Sequence, residues 1–379
     1  MGEILVDFPN VGASDDLALR RVRNVTPLGD FLNVNRSLLA GIGASVALTA
    51  GCVGMFVLPL PHHVSSSDPR NAATLAGNQA SVSPSPTRSS AKPSPSPSPS
   101  HRAMPSHHKR KRHSRALPRL MSGSVSVGVA VKGGIVSGVR SFAQATGARI
   151  AMVEIYAPFG GPFPGVSLHA VASTGATPLL QWNPRSSPLY KIATGGYDRY
   201  LRRWATEVKR FGRQVVLSFG HEMNGTWNPW GAGHVSPSTF VDAWRRIHNV
   251  FSQAGAHNVT WSWDPSHVGA LPEPWWPGRR YVDKIGIDGY LRPGQTFAHI
   301  FAYRLANIRS FTSKPIYIAE TAVAPSSDQA RQIIELFNGV LRYHLSGFVW
   351  FNIDHLEAWR LEGRTGAVRA FRNAVAQTS

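Results

Sequence analysis

Short apolar runs alternate with amphipathic stretches along the C-terminal two thirds of this chain. The amphipathic stretches carry apolar residues at helical spacing, and several end in a glycine that suits a helix C-cap, such as Gly147, Gly212 and Gly255. Near-continuous apolar strands separated by helices are typical of a parallel sheet covered on its outer face. Eight runs rich in β-branched residues predict strands, at residues 124–131, 149–157, 176–184, 214–222, 259–265, 283–290, 315–322 and 347–354.

The number and order of these units predict the fold class. Eight strand–helix units in residues 122–379 fit an α/β chain folded as a (β/α)8 TIM barrel, which usually needs about 250 residues. An open, doubly wound sheet is the alternative. Such a sheet normally carries a glycine-rich phosphate turn after its first strand, and VAVKGGIVSG is a poor match to that turn. The pattern therefore favours the barrel.

A long uncharged segment lies near the N-terminus. Residues 38–60 contain no charged side chain, and a helix needs about 20 such residues to cross a membrane. Arginines precede it at positions 20, 21, 23 and 36, which favours a cytoplasmic N-terminus. We therefore expect a cytoplasmic tail at 1–36, a single-pass anchor in the cell membrane at 37–60, and an extracellular remainder. A cleaved signal sequence, giving a secreted protein, and a lipoprotein modified at Cys52 are the alternatives.

Residues 61–121 have the composition of a disordered linker. SPSPTRSSAKPSPSPSPS favours extended polyproline II, which has no apolar surface to bury and acts as a spacer. The basic run HHKRKRHSR follows at 107–115, and we expect a solvated segment that could rest on an anionic cell-wall or lipid surface. No nucleic-acid partner is expected, because the run lacks interleaved aromatic residues and follows a predicted membrane span.

Overall charge and cysteine content limit the kinds of functional site that the chain can contain. The 379 residues include 40 lysines and arginines against 21 aspartates and glutamates, a formal net charge of +19. Residues 122–379 hold 26 of the basic and 15 of the acidic side chains, so the predicted barrel is itself basic. The single cysteine, Cys52, excludes an intrachain disulfide framework and a cysteine-based zinc or iron–sulfur site. The sequence predicts no metal and no organic cofactor.

The predicted strand ends carry carboxylates and aromatic rings. Active sites of (β/α)8 barrels lie at the carboxyl ends of the strands. Carboxylates can serve as acid, base or nucleophile, and flat aromatic rings stack on the apolar faces of sugars. The combination predicts glycoside hydrolysis, which needs two carboxyl groups flanking the bond that is cleaved. The strand ends contribute Glu154, Tyr156, Trp182, His221, Glu222, Trp263, Asp264, Asp288, Tyr290, Glu320, Trp350 and Asp354.

One of these strand ends belongs to a long, specific motif. GHEMNGTWNPWG at 220–231 resembles glycoside hydrolase family 26, a retaining clan A family of (β/α)8 barrels that includes β-mannanases. The resemblance extends over residues 122–379. It implies that Glu222 is the acid/base and that Glu320, in YIAETA, is the nucleophile. The implied activity is retaining endo-β-glycanase hydrolysis of β-1,4-mannan or a related β-glycan, by double displacement through a glycosyl-enzyme intermediate.

The same resemblance implies a set of substrate-binding residues around the two glutamates. They are His221, Trp227, Asp288, Tyr290, Trp350 and Trp182. Packing in the core is the alternative for the histidine and for each tryptophan. Glu154, Asp264 and Asp354 are expected instead to cap the loops that follow their strands.

The sequence does not identify the sugar of the substrate. The third predicted strand ends in Gln181-Trp182-Asn183-Pro184, where many mannanases of the family carry a histidine after the tryptophan. A polysaccharide is the expected partner, and mixed-linkage β-1,3-1,4-glucan or the cell's own exopolysaccharide are alternatives to mannan. A non-catalytic carbohydrate-binding or wall-attachment protein on a retained barrel is a second function class. A third hypothesis makes the basic linker the functional part and the barrel its cargo.

Overall fold

The computed structural model describes residues 117–355 and 357–378. The predicted cytoplasmic tail, membrane anchor and most of the predicted linker therefore lie outside the described residues. Within the described ranges, no helix combines the length and the apolar character that a membrane crossing requires.

Eight parallel strands form a single sheet. Each predicted apolar run contains one of them, so the predicted strand order is confirmed. The strands are β1 (Ser126–Val131), β2 (Ile150–Pro158), β3 (Thr177–Asn183), β4 (Val215–Phe219), β5 (Val259–Trp263), β6 (Lys284–Ile285), β7 (Ile318–Thr321) and β8 (Gly347–Asn352). They pair in the order β6-β5-β4-β3-β2-β1-β8-β7.

The first and last strands of that order, β6 and β7, lie next to each other. Parallel bridges join Ile285 to Ile316 and Leu291 to Val323, which brings the segment around β6 against the segment around β7. A sheet whose first and last strands are hydrogen bonded leaves no free edge. The curled sheet is therefore consistent with the predicted (β/α)8 barrel.

Helices cover the outside of the sheet. Within the described residues they are α1 (Ile135–Thr146), α2 (Gly165–Ser173), α3 (Leu189–Ala193), α4 (Asp198–Phe211), α5 (Pro237–Gln253), α6 (Phe297–Phe311), α7 (Gln329–Arg342) and α8 (Thr365–Thr378). The connection from β5 to β6 contains two 3-10 helices instead, Glu273–Trp275 and Arg279–Tyr281. Gly147 and Gly212 end α1 and α4 with left-handed backbone, at φ 71° and 69°, as their sequence positions predict.

Apolar side chains fill two layers. Outside the sheet, aromatic rings pack between strands and helices, as where Phe348 and Trp350 of β8 meet Phe371 of α8. Inside the barrel, a smaller layer of Leu179, Val216, Tyr317, Ala319 and Val349 closes the floor. Polar side chains occupy the barrel above that floor, so the fold directs its charged groups toward the carboxyl ends of the strands.

Ordered contacts begin slightly before the predicted domain boundary at residue 122. The backbone N–H of Met121 donates to Asn338 Oδ1 at 2.8 Å, and Asn338 Nδ2 donates to the carbonyl oxygen of Arg119 at 2.9 Å. Leu120 packs against the core. The last residues of the predicted linker are therefore attached to α7.

Candidate active site

Glu222 lies just beyond β4 in an unusual backbone conformation. Its φ is 53°, in the left-handed region that non-glycine residues rarely adopt, and Gly220 two residues earlier has φ 59°. The Glu222 N–H donates to the carbonyl oxygen of Asp264 at 2.7 Å, which fixes the turn against the end of β5. Strained backbone of this kind persists where surrounding contacts enforce it, commonly at functional sites.

The carboxyl group of Glu222 is buried and hydrogen bonded. Trp227 Nε1 donates to its Oε2 at 2.6 Å, and Ser266 also hydrogen bonds to it. Burial, and then the negative charge of Glu320, raise the pKa of Glu222 to about 7, although the two hydrogen bonds act to lower it. A carboxyl group of this pKa can give up and regain a proton near neutral pH, as a general acid/base must.

Glu320 lies on β7 and receives two hydroxyl donors. The Tyr156 hydroxyl donates to Oε1 at 2.7 Å, and the Tyr290 hydroxyl donates to Oε2 at 2.8 Å. The residue is only 7% exposed. Two donors aimed at the two carboxylate oxygens favour the ionised form and fix its orientation. That is the state a carboxylate nucleophile requires.

His221 links the two halves of the site. Its Nδ1 lies 2.9 Å from Asn183 Oδ1, and its Nε2 lies 3.9 Å from Glu320 Oε1. Burial lowers the pKa of His221, although Glu320 opposes this. Because the amide oxygen of Asn183 can only accept, a neutral imidazole carries its proton on Nδ1. Its Nε2 lone pair then faces the site and can accept a hydrogen bond.

Asp288 lies beside Glu320 and is fully buried. The two residues form a backbone bridge between the β6 and β7 segments. Burial, and then the charge of Glu320, raise the pKa of Asp288 well above its ordinary value. In the described part of the chain, neither of its carboxyl oxygens has a hydrogen-bond partner. Burial, the charge of Glu320 and the lack of donors thus all disfavour the ionised form of this carboxyl group.

His221, Asp288 and Glu320 also have the geometry of a three-ligand metal group. One ligand atom from each lies within 4.8 Å of the others. However, both oxygens of Glu320 already accept tyrosine hydrogen bonds. The raised pKa of Asp288 also disfavours the ionised form that a metal ligand needs. That no metal is needed stays a prediction.

A polar layer supports the site from below. Gln181 Nε2 donates to Glu154 Oε1 at 2.9 Å and to Asp264 Oδ2 at 3.4 Å. Asp264 Oδ1 accepts from the N–H of Gly286 at 3.0 Å and from the Ser262 hydroxyl. The expectation that Glu154 and Asp264 cap surface loops is therefore wrong. Their side chains point into the barrel because strand residues alternate between its two faces.

Comparison with known families agrees with this geometry. The family model described as Glycosyl hydrolase family 26 matches residues 189–339, a segment that contains both Glu222 and Glu320. The domain thus resembles glycosyl hydrolase family 26. Such a match, together with the relatives below, supports a glycoside hydrolase.

Two curated relatives carry related names. Endoglucanase H of Acetivibrio thermocellus is 30% identical over 260 residues, 63% of this chain and 29% of that protein. Mannan endo-1,4-beta-mannosidase of Bacillus subtilis strain 168 is 23% identical over 215 residues, 50% of this chain and 55% of that protein. The chain thus spans less than two thirds of the length of either relative.

A solved structure shares the fold of this domain. The catalytic domain of the Bacillus sp. JAMB-750 family 26 endo-beta-1,4-mannanase superposes with a TM-score of 0.53. The superposition covers 68% of this chain and 88% of that one, at 15% sequence identity. At that identity the similarity concerns the fold alone.

Two of the predicted substrate-binding tryptophans lie outside the site. Trp182 is fully buried and stacks on Trp204 of α4, with ring centroids 4.3 Å apart. Trp350 is fully buried, lies edge-on to Phe371, and donates through Nε1 to the carbonyl oxygen of Trp359 at 3.3 Å. Rings without exposed faces cannot stack on sugar. The prediction is wrong for both because their side chains point to the outer face of the sheet, toward the helices.

The structure adds two residues to the predicted site, Ser266, which hydrogen bonds to Glu222, and Trp359. The ring of Trp359 packs on Tyr290 with centroids 4.7 Å apart. Two residues of the predicted strand ends also gain defined partners. Tyr156 hydrogen bonds to Glu320, and Asn183 hydrogen bonds to His221. No sequence signal distinguishes Ser266 or Trp359, since both lie in loops.

Proposed function

We propose that this protein is a retaining endo-β-glycanase that hydrolyses β-1,4-mannan or a related β-glycan. The observation that carries the proposal is the contrast between two buried glutamates of one site. Burial raises the pKa of Glu222 to about 7, while Glu320 receives hydroxyl donors on both oxygens. One carboxyl group is thus equipped to hold a proton and the other to remain charged.

In the first step of the proposed reaction, Glu320 attacks the anomeric carbon and the glycosidic C–O bond breaks. Glu222 transfers its proton to the departing oxygen, which leaves as a sugar hydroxyl. In the second step, ionised Glu222 takes a proton from water, and the resulting nucleophile displaces Glu320 from the anomeric carbon. Both glutamates return to their initial protonation states, and the anomeric configuration is retained.

Neighbouring side chains have separate roles in this proposal. Tyr156 and Tyr290 orient Glu320 for attack, and Trp227 holds the carboxyl group of Glu222. The Nε2 of neutral His221 accepts a hydrogen bond from a sugar hydroxyl next to the anomeric carbon. Asp288, when protonated, can donate to the substrate or to Glu320.

The substrate class rests on the relatives. Those proteins carry the names endoglucanase and mannan endo-1,4-beta-mannosidase, so a β-glycan with an equatorial backbone linkage is the shared chemistry. Neutral polysaccharides are therefore the first substrates to test. Mannan, glucomannan and mixed-linkage glucan come first in the panel, followed by xylan and cellulose.

The proposed location is the outer face of the cell membrane. The support is in the sequence: residues 38–60 are uncharged, and four arginines precede them. A polysaccharide-degrading domain would meet its substrate outside the cell, and the linker at 61–121 would separate it from the membrane.

The test is reducing-sugar release by the full chain from that panel, with Glu320→Ala and the surface control Glu273→Ala alongside. The proposal expects cleavage by the parent and by Glu273→Ala, and none by Glu320→Ala. Azide should restore part of the turnover of Glu320→Ala, because a small anion can occupy the space of the missing carboxylate and attack the sugar. The product would be a glycosyl azide.

Two results would overturn the proposal. Full activity of Glu320→Ala would remove the nucleophile assignment. Binding of a glycan by the parent protein without release of reducing ends from any polysaccharide would favour the non-catalytic carbohydrate-binding alternative.

A further inference from the structure

A second feature lies on the same end of the barrel, to one side of the active site. β2 carries Tyr156 to Glu320 and continues directly into the loop 159–164. That loop and helix α4 border a cavity of about 320 Å³, at the small end of the range for ligand pockets, which is roughly 300–1,000 Å³. The active-site residues do not line it.

The cavity walls are aromatic and well fixed. Phe163, Tyr200 and Trp204 line it, and the Phe163 and Trp204 rings meet edge-on at 5.4 Å. The Tyr200 hydroxyl accepts from the N–H of Gly160 at 2.9 Å and donates to the carbonyl oxygen of Gly161 at 3.0 Å. Trp204 Nε1 donates to the same carbonyl oxygen at 3.1 Å. The loop is therefore held open against α4 before any ligand arrives.

Positive charge surrounds this cavity. Helix α4 contains five basic and two acidic residues, and Arg199, Arg202 and Arg203 are exposed at a spacing that places them on one side of the helix. Arg203 and one acidic residue, Glu207, line the cavity itself.

The two acidic residues of α4 are already engaged. Asp198 is bound by Arg246, through Nε at 3.0 Å and Nη2 at 2.5 Å, and Arg202 lies farther away at 3.7 Å. Glu207 pairs with Arg210 at 2.8 Å. Among the described residues no carboxylate lies within 4.0 Å of the guanidinium groups of Arg199 or Arg203, which leaves both available to an external anion.

We infer that the cavity and the arginine face of α4 form an accessory binding site for an acidic polysaccharide. The partly exposed rings of Phe163 and Tyr200 and the fixed backbone suit a sugar ring. The two unpaired guanidinium groups suit carboxylate substituents along the chain. This site goes beyond the proposed hydrolysis. It would hold the enzyme on an anionic wall or capsule while the barrel acts on a neutral glycan.

The experiment measures binding of the full chain to immobilised polygalacturonate, with neutral glucomannan and double-stranded DNA as comparison polymers. The Glu320→Ala background prevents cleavage of any polymer. The test variant combines Arg199→Gln, Arg202→Gln and Arg203→Gln. The matched control combines Lys132→Gln, Arg140→Gln and Arg369→Gln, which removes the same charge from exposed positions around α1 and α8.

The expected result is about a tenfold loss of polygalacturonate affinity in the test variant, as three partly exposed charge interactions would give, and less than twofold in the control. Phe163→Ala should weaken polygalacturonate binding without changing DNA binding, because DNA would be attracted by the arginine charges alone and would not contact the Phe163 ring. Thermal unfolding of each variant checks that the fold is kept.

Equal losses in both triple variants would overturn the inference, since attraction would then come from net charge or from the basic run at 107–115. The inference would also be overturned if DNA bound as tightly as polygalacturonate and if Phe163→Ala weakened the binding of both polymers equally. Reducing-sugar release by the parent is unaffected by either result, so the proposed hydrolysis is judged separately.

Discussion

At the scale of single residues, the two glutamates of the site differ in their donors. Glu320 accepts from two tyrosine hydroxyls, whereas Glu222 accepts from an indole N–H and a serine hydroxyl. The negative charge of Glu320 also disfavours ionisation of Glu222, whose pKa is raised to about 7. The division of roles between the two residues thus follows from their immediate partners.

Trp227 gives a direct test of this balance. Its hydrogen bond stabilises ionised Glu222, so Trp227→Phe removes a contribution that lowers the pKa of Glu222. The pKa should rise, by about one unit for a bond worth about 1.4 kcal/mol. Proposed catalysis needs Glu222 protonated in its first step. The alkaline limb of kcat/KM against pH should therefore move to higher pH.

The control for that measurement is Trp276→Phe, because Trp276 contacts Trp263 and Phe311 instead of a carboxyl group. Its pH profile should match the parent. A Trp227→Phe profile with an unmoved alkaline limb would show that another group titrates there.

At the scale of elements, the loops after β4 and β5 hold each other. Asn224 Nδ2 donates to the carbonyl oxygens of Ser266, Val268 and Ala270, and its Oδ1 accepts from the Ser266 N–H at 2.8 Å. One buried side chain thereby sets the position of Ser266, whose hydroxyl reaches Glu222. Two loops from neighbouring strands act as one support for the acid/base.

The outward tryptophan of β3 makes a second element-scale test. Trp182→Leu removes the ring that stacks on Trp204, in a layer where Phe159 and Phe219 also contact it. The space left by the missing ring should lower the free energy of unfolding by about 3 kcal/mol. KM for the cleaved polysaccharide should stay unchanged, since the ring has no exposed face. Denaturant titration and steady-state kinetics measure the two effects, and a large rise in KM with unchanged stability would contradict the assignment.

The sequence predicts this element order well because strand and helix periods are local properties. All eight strands, the C-cap glycines and the placement of both glutamates at strand ends follow from patterns within about ten residues. The directions of Trp182 and Trp350 do not, because at the end of a strand a one-residue difference decides between barrel interior and helix layer. Loop partners such as Ser266 and Trp359 depend on tertiary contacts and leave no local pattern.

At the scale of the whole molecule, acidic and basic side chains differ in how deeply they are buried. Five carboxyl groups of the described domain are buried, namely those of Glu154, Glu222, Asp264, Asp288 and Glu320, and every other acidic residue is at least partly exposed. Of the lysines and arginines that the structure describes, only Arg304 is buried to the same degree. The interior is thus acidic and the surface strongly basic. Ionising the interior opposes folding, since like charges share one poorly hydrated space.

This arrangement predicts how stability changes with pH. The pKa of Glu222 is about 7 in the folded protein, above its ordinary value of 4.5, so the folded state binds the proton more tightly. The penalty is absent below about pH 4.5 and grows until about pH 7. Glu222→Gln should therefore stabilise the domain by about 3 kcal/mol at pH 8 and hardly at pH 4.

Denaturant unfolding of the full chain at pH 4, 6 and 8 would measure this gain, with exposed Glu273→Gln as the control. The control should differ little from the parent at any pH. An equal gain from Glu222→Gln at pH 4 and pH 8 would show that lost charge is not its source.

The left-handed backbone at Glu222 bears on how such a domain can change in evolution. A single-nucleotide change converts a glutamate codon into a glycine codon, and glycine adopts φ near 53° without a Cβ clash. That one change would relieve the local strain and remove a buried acid, and the rest of the barrel mouth would stay in place. In the proposed mechanism, the same substitution therefore raises stability and abolishes cleavage. It would leave the fold as a lectin, a protein that binds a glycan without hydrolysing it.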